Sequence, residues 1–297
     1  HIESLAERWS NEFNRSDIRN LAILVIDIPT NQVVAYCGNV HFDRKQGGNQ
    51  VDVIQAPRST GSILKPFLYN AMLQEGSLLP KMLLPDVPVN INGFTPQNFS
   101  MQFEGAVPAS EALARSLNIP AVTMLQRYGV PKFHHLLQQM GFKTINRAAS
   151  HYGLSLILGG AEATLWDVTN AYAQMGRSLS SNSPSPTVSQ GKEAQILLET
   201  ENTEPINNDT KQTSRNHKSN HNKQKKREQS NSSPISIEEN SEETTSAKAG
   251  AAWLTLSALT EVNRPEEIDW KSIPSMQTIA WKTGTSYGFR DAWAVGV

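Results

Sequence analysis

Two short motifs lie far apart in this chain, and they can act together only if folding joins them. Ser62-Ile63-Leu64-Lys65 sets a hydroxyl three residues ahead of an amine. Lys282-Thr283-Gly284-Thr285-Ser286 sits near the other end of the sequence. Residues three apart on a helix share a face, so the Lys65 amine can reach the Ser62 hydroxyl. A Lys-Thr-Gly strand is a cationic edge able to hold a carboxylate beside that serine. The fold must therefore bring a late strand against the start of an early helix. The chemistry indicated is that of an enzyme that acylates its own serine.

The material for such a fold is unevenly spread. "NLAILVIDIPTNQVVAYCGN" (20–39) reads as a hairpin, two β-branched runs around Pro29-Thr30-Asn31. Gly61-Ser62 opens an amphipathic helix carrying Ile63, Leu64, Phe67, Leu68, Ala71 and Met72, with Gly76 as its stop. Pro66 fits only in the first turn of that helix. From about 108 to 180 the apolar spacing is helical: "PASEALARSLNIPAVTMLQRYG", "VPKFHHLLQQMGF" and "GGAEATLWDVTNAYAQMGR". Residues 181–247 differ in kind. They are rich in Ser, Asn, Thr, Lys and Glu, with a basic run followed by an acidic one. Such a segment buries too little apolar area to offset its ordering entropy, so it reads as a disordered, solvated insertion. Structure resumes at 248 with the helix "AGAAWLTLSALTEV". A strand carrying Lys282, a Gly-containing turn and a second strand from about Asp291 follow.

Composition excludes several alternatives. With 297 residues and 38% apolar content the chain can bury a substantial core. Its 27 basic and 28 acidic residues nearly cancel, so no overall field points to nucleic acid. Cys37 is the single cysteine, which rules out an internal disulfide. The pair His134-His135 carries no HExxH pattern and reads as a surface or core-edge pair, so no metal or cofactor is implied.

Serine attacks poorly until a base takes its proton, and Lys65 is that base only when neutral. Burial and a second cation, for which Lys282 is placed, would both lower its pKa. The N–H of Ser62 at a helix start and a strand N–H near Thr285 would hold an oxyanion. Taken singly the motifs are weak. Ser-x-x-Lys recurs at Ser189 and Lys192, and Ser-x-Asn, present as Ser116-Leu117-Asn118, recurs at Ser180 and Ser214. Order and context separate the copies: only Ser62 follows a glycine and opens an apolar helix.

Ser-x-x-Lys, Ser-x-Asn and Lys-Thr-Gly in this order are the constellation of β-lactamases and penicillin-binding proteins. "APRSTGSILKPFLY", "EGAVPASEALARSLNIPAV", "YGLSLILGGAEATLWDVTNAYAQMGR" and "WKTGTSYGFRDAWAVGV" resemble the transpeptidase domain of class A penicillin-binding proteins, most closely the 1C type. The resemblance spans nearly everything outside the insertion. It implies an α+β fold, an antiparallel sheet with flanking helices and an all-α subdomain. The whole of 1–297 would be one transpeptidase domain: helix and hairpin in 1–60, nucleophile helix and helical subdomain in 61–180, the insertion, then helix and Lys-Thr-Gly strands in 248–297. In the family the last strand lies between the first hairpin and the Lys-Thr-Gly pair. The expectation is therefore a domain incomplete at its C-terminal side. A glycosyltransferase and a membrane anchor would belong to the parent protein.

The same resemblance assigns roles. Ser62 would be acylated, Lys65 would be its base, and Ser116 would relay the proton to the leaving amine. Asn118 would hold the substrate amide and touch Lys65. Lys282 would add positive potential and bind the Ser116 hydroxyl. Thr283, Gly284, Thr285 and Ser286 would form the substrate-binding edge, the two threonines taking the carboxylate. The partners implied are peptidoglycan stem peptides ending in D-Ala-D-Ala, with β-lactams as covalent inhibitors, outside the cytoplasmic membrane. The rival readings are a carboxypeptidase or β-lactamase, a β-lactam-sensing module without turnover, and a structural remnant. "RYGVPKFHHLLQQMGF" offers no glutamate-asparagine loop of the deacylating kind, and the intact motifs tell against a remnant.

Overall fold

The computed structural model describes residues 1–40, 51–179, 238–261 and 278–297. Helix α1 (Ile2–Phe13) precedes the hairpin of β1 (Ile23–Asp27) and β2 (Gln32–Cys37). The turn falls where the sequence puts it. The Asp27 carboxylate accepts the Thr30 N–H at 3.0 Å, and Asn31 takes a left-handed φ of 58°, which Asn tolerates. Strand β3 (Arg58–Ser59) leads to α2 (Lys65–Gln74). Next come β4 (Leu83–Asp86), β5 (Gly105–Pro108), α3 (Ala109–Ala114) and α4 (Asn118–Tyr128). Then follow α5 (Val130–Gln139), α6 (Ala149–Tyr152), β6 (Glu162–Ala163) and α7 (Leu165–Arg177). Helix α8 (Glu238–Thr260) and strands β7 (Trp281–Thr285) and β8 (Ala292–Gly296) complete the described chain.

The molecule is organised around α2. Every residue from Lys65 to Met72 is buried, whatever face it lies on. A helix covered on all sides must run through the middle of its domain. Helices α4, α5, α7 and α8 enclose it with Leu125, Phe133, Tyr172 and Leu256, while Val295 of β8 closes the same core. Phe67 packs edge-on against both Phe142 and Tyr172. Beyond Gln74 the chain turns at Gly76, φ 67°. The Gly76 and Ser77 N–H groups return to the Leu73 and Met72 carbonyls, both at 3.0 Å, the usual glycine stop.

Three expectations change. The helix of the Ser-x-x-Lys motif begins at Lys65, not at Ser62. Residues 60–65 coil in tighter i→i−3 turns, with Ile63 N–H bonded to the Thr60 carbonyl and Lys65 N–H to that of Ser62. Pro66 then occupies the first turn proper, where its missing N–H costs nothing. The stretch 108–128 is two helices, because the chain reverses at Ser116, φ 58°. Helix α8 starts at Glu238, ten residues ahead of 248. The rest of the expected insertion lies outside the described residues.

The sheet does not depart from the α+β reading. The strands are antiparallel, as expected, but among the described residues they form four separate pairs: β1–β2, β3–β6, β4–β5 and β7–β8. The first and last hairpins meet on α7 without bonding to each other. A Cβ on Gly176 would lie 3.0 Å from Ile28 Cδ1 and 3.1 Å from Val297 Cγ1.

Candidate active site

The turn 59–63 is held from four sides. Ser59 Oγ donates to the Gly159 carbonyl at 2.8 Å, and Thr60 N–H donates to the Ala161 carbonyl at 3.0 Å. Trp293 Nε1 of β8 donates to the Ser59 carbonyl at 2.8 Å. Tyr172 of α7 donates its hydroxyl to the Ile63 carbonyl at 2.8 Å, and burial raises its pKa well above the ordinary tyrosine value. Strand β7 rests directly on this turn. A Cβ on Gly61, φ +50°, would lie 2.6 Å from the Thr285 nitrogen; one on Gly284 would lie 2.8 Å from the Thr60 carbonyl oxygen and 3.2 Å from the Ser62 nitrogen. Both glycines are therefore needed for contact, and Gly284 works through its missing side chain.

That contact brings the two motifs together. Ser62 is partly exposed, beside the backbone of 284–285. Among the described residues neither its N–H nor its hydroxyl makes a hydrogen bond, so both are available to a ligand. The expected contact between Ser62 and the Lys65 amine is absent there. Instead Lys65 Nζ donates to the Ser116 carbonyl at 2.7 Å and to Asn118 Oδ1 at 2.7 Å. Longer contacts of 3.3 Å reach Ser116 Oγ and the Leu117 carbonyl. Catalytic hydrogen bonds commonly tighten only when substrate is bound.

Lys65 is 1% exposed and Lys282 2%. Burial, and then the charge of Lys282, hold the Lys65 pKa well below the ordinary lysine value. Burial pushes Lys282 down to about 7. A neutral amine has two N–H donors and one lone pair. If the Ser116 carbonyl and Asn118 Oδ1 take the two donors, the lone pair remains for a proton. Lys282 Nζ donates to Ser116 Oγ at 2.8 Å and to the Thr283 carbonyl at 2.7 Å. The Ser116 hydroxyl thus accepts from Lys282 and lies 3.3 Å from the Lys65 amine, so its own hydrogen can be given toward that amine or elsewhere.

Ser116 sits at a left-handed helix terminus. Its N–H and that of Leu117 return to the Leu113 and Ala112 carbonyls at 2.9 Å, an arrangement that ordinarily favours glycine. This reversal ends α3, starts α4 and aims Ser116 and Asn118 at the same amine. On the strand edge Thr285 is exposed, whereas Ser286 is buried with its hydroxyl accepting the Asp291 N–H at 2.8 Å. Ser286 accordingly closes the β7–β8 turn. His134 is buried against the Tyr152 ring and His135 is exposed. Sequence reasoning did not single out Trp293, Tyr172, Asp86 or Asn98. Only a lone charge in the apolar run "LLPD" marks Asp86.

The penicillin binding protein transpeptidase domain matches residues 21–292 of this sequence. The chain belongs to the penicillin-binding protein transpeptidase family. It is 32% identical to penicillin-binding protein 1C of Escherichia coli K12 over 296 residues, covering all of this chain and 32% of that protein. Penicillin-binding protein 1A of Neisseria cinerea is 30% identical over 158 residues, 51% of this chain and 19% of the relative. The chain thus spans a third or less of the length of these relatives. Among solved structures, a peptidoglycan glycosyltransferase from Burkholderia ambifaria matches 97% of this chain and 79% of its own, with a TM-score of 0.62 at 14% identity. Penicillin-binding protein 1A from Haemophilus influenzae matches 93% of this chain and 41% of its own, with a TM-score of 0.59 at 18% identity. These likenesses establish the fold, an α+β transpeptidase fold. Membership makes the chemistry that of a serine acyltransferase of the penicillin-binding type.

Proposed function

We propose that this chain is a D,D-transpeptidase domain that cross-links peptidoglycan outside the cytoplasmic membrane. The observation that supports it best is the Ser116 hydroxyl, which lies within hydrogen-bond distance of two buried lysines, one from each distant motif. In this reading Ser62 Oγ attacks the carbonyl of the penultimate D-Ala, and its proton passes to the neutral Lys65 amine. The oxyanion rests on the N–H groups of Ser62 and Thr285. The tetrahedral intermediate collapses, the peptide C–N bond breaks, and terminal D-Ala leaves with a proton delivered through Ser116. An amine of a neighbouring stem peptide then attacks the ester and loses its proton to the same base. Ser62 is released as a new amide forms. Lys282 and the two strand threonines receive the substrate carboxylate. No step needs a metal or cofactor.

Intact mass spectrometry after brief incubation with a penicillin tests the first half. A persistent adduct of one penicillin mass, lost in Ser62→Ala, is expected. Incubation with a D-Ala-D-Ala stem peptide and an acceptor amine tests the second half. Amide product supports transfer; free acid alone would make the protein a carboxypeptidase. An adduct without any peptide product would make it a β-lactam-binding module.

A further inference from the structure

Asp86 and Asn98 lie outside all three motifs, yet both are buried, at 0% and 2% exposure. Asp86 ends β4, and Asn98 belongs to the loop between β4 and β5. The contacts of Asp86 are with donors: Oδ1 accepts Asn98 Nδ2 at 2.7 Å and Oδ2 accepts the Glu104 N–H at 3.0 Å. Asn98 Nδ2 also donates to the Gln102 carbonyl at 2.9 Å. Both amide hydrogens are thereby used, and Asn98 Oδ1 must face the other way. It faces the start of α4, accepting the N–H of Asn118 at 2.9 Å and that of Ile119 at 3.4 Å. Leu117, at the helix-cap position, has no side-chain cap of its own, so Asn98 caps α4 from a separate loop.

The neighbouring residue continues the pattern. The Gln97 carbonyl can only accept, and it takes Asn118 Nδ2 at 2.7 Å. That contact leaves Asn118 Oδ1 for Lys65 Nζ. Each of the two amides could lie either way round, and each orientation is set by an acceptor-only group. The orientation of Asn118 matters chemically. With its oxygen toward Lys65, the amine donates and its lone pair stays open to the Ser62 proton. Turned over, Asn118 would aim an N–H at that lone pair and occupy the base.

We propose that Asp86 and Asn98 are positioning residues for Ser62 acylation: they hold the 97–98 segment against α4 so that Asn118 presents its oxygen to Lys65. The proposal rests on the reading of Ser62 as nucleophile and Lys65 as base. Asp86→Asn and Asn98→Asp each place the wrong donor or acceptor at the junction. The reciprocal swap, Asp86→Asn with Asn98→Asp, lets an amide donate to a carboxylate again, with the carboxylate now capping α4, but the oxygen that replaces Asn98 Nδ2 then faces the Gln102 carbonyl, an acceptor against an acceptor.

The measurement is penicillin acylation resolved into a saturating rate constant and an apparent dissociation constant, with melting temperatures alongside. Each single variant should lower the saturating rate by about 10–10²-fold, leave the dissociation constant unchanged, and be partly rescued by the swap. Single variants that acylate like the parent would overturn the proposal, as would a loss no greater than the loss of folded protein, or a swap no better than the worse single variant. Crystal structures of the variants judge it without any activity. The Gln97–Asn118 contact broken in the single variants and remade in the swap supports it; the contact intact in both single variants overturns it. A parent that penicillin fails to label would defeat the acylation reading, while the crystallographic criterion would still decide the positioning.

Discussion

Ser116 combines a backbone cost with the chemical role proposed for it. Its left-handed φ of 58° suits glycine, and a non-glycine residue there carries about 1–3 kcal/mol of strain. Its hydroxyl meanwhile joins the two lysines. Separating the two effects takes two substitutions. Ser116→Gly should be more stable than Ser116→Ala by about 1 kcal/mol in urea melts. Both should lose about 10²–10⁴-fold in acylation rate, the range for a positioned proton-transfer group. A glycine variant that acylates at the parental rate would remove the hydroxyl from the mechanism. Lys282 offers a second test, because burial costs a cation more than it costs a neutral amine. Its pKa is about 7 folded and about 10.4 unfolded, so between those values the unfolded chain holds more protons and stability rises with pH. Below about pH 7 both states are protonated and the burial cost stays at its maximum. Lys282→Met should therefore be more stable than the parent at pH 6, with the gap closing toward pH 10. At 1.36 kcal/mol per pKa unit that gap has a ceiling of about 5 kcal/mol, reduced by the lost bonds to Ser116 and Thr283. Urea melts at pH 6, 8 and 10 would show it, and a gap that widens with pH would contradict it.

Strand β7 and the turn carrying Ser62 behave as one element, since they touch through backbone atoms. Gly284 and Gly61 allow the approach. Gly284→Ala has no flexible neighbour to displace at the Thr60 carbonyl, so the strand must move away from the Ser62 N–H. Losing one oxyanion donor in this way should cost about 10²–10³-fold in acylation rate, with folding largely kept. Gly61→Ala adds a strained φ to the same clash and should cost stability as well, by about 1–3 kcal/mol. Stopped-flow acylation and thermal melts would check the pair; unchanged acylation in Gly284→Ala would show that the Thr285 edge is not part of the oxyanion site. The elements themselves were largely legible. The 20–39 hairpin, the helices after 108 and the strand carrying Lys282 follow from apolar spacing and glycine stops. The short pairs β3–β6 and β4–β5 were not, because two to four residues give too little periodicity to read. The reversal at Ser116 was hidden for another reason: a serine stands where glycine would have announced a helix end.

At the scale of the molecule, α7 is where both hairpins converge. Gly176 lets Ile28 from the β1–β2 turn and Val297 beyond β8 reach the same point on that helix. Gly176→Leu should force both apart, destabilising the protein by about 1–3 kcal/mol. Amide exchange should quicken in β1 and in β7 together; an effect confined to one hairpin would mean that they pack independently. The two motifs and their order, the candidate pair Ser62 and Lys65, and the division between core-forming and highly polar segments could all be stated from residues alone. They depend on residue type and short spacing, which the chain displays directly. Neither the burial of Lys282 nor the turning of Lys65 toward the Ser116 carbonyl was predictable in the same way, and the contacts of Lys65 with Asn118 and of Lys282 with the Ser116 hydroxyl were expected only through the family resemblance. The network running from Asp86 through Asn98 to Asn118 is likewise tertiary. Hydrogen bonds between residues 12, 20 and 166 positions apart leave no local pattern, and which way an amide faces is decided by the acceptors that the folded chain sets against it.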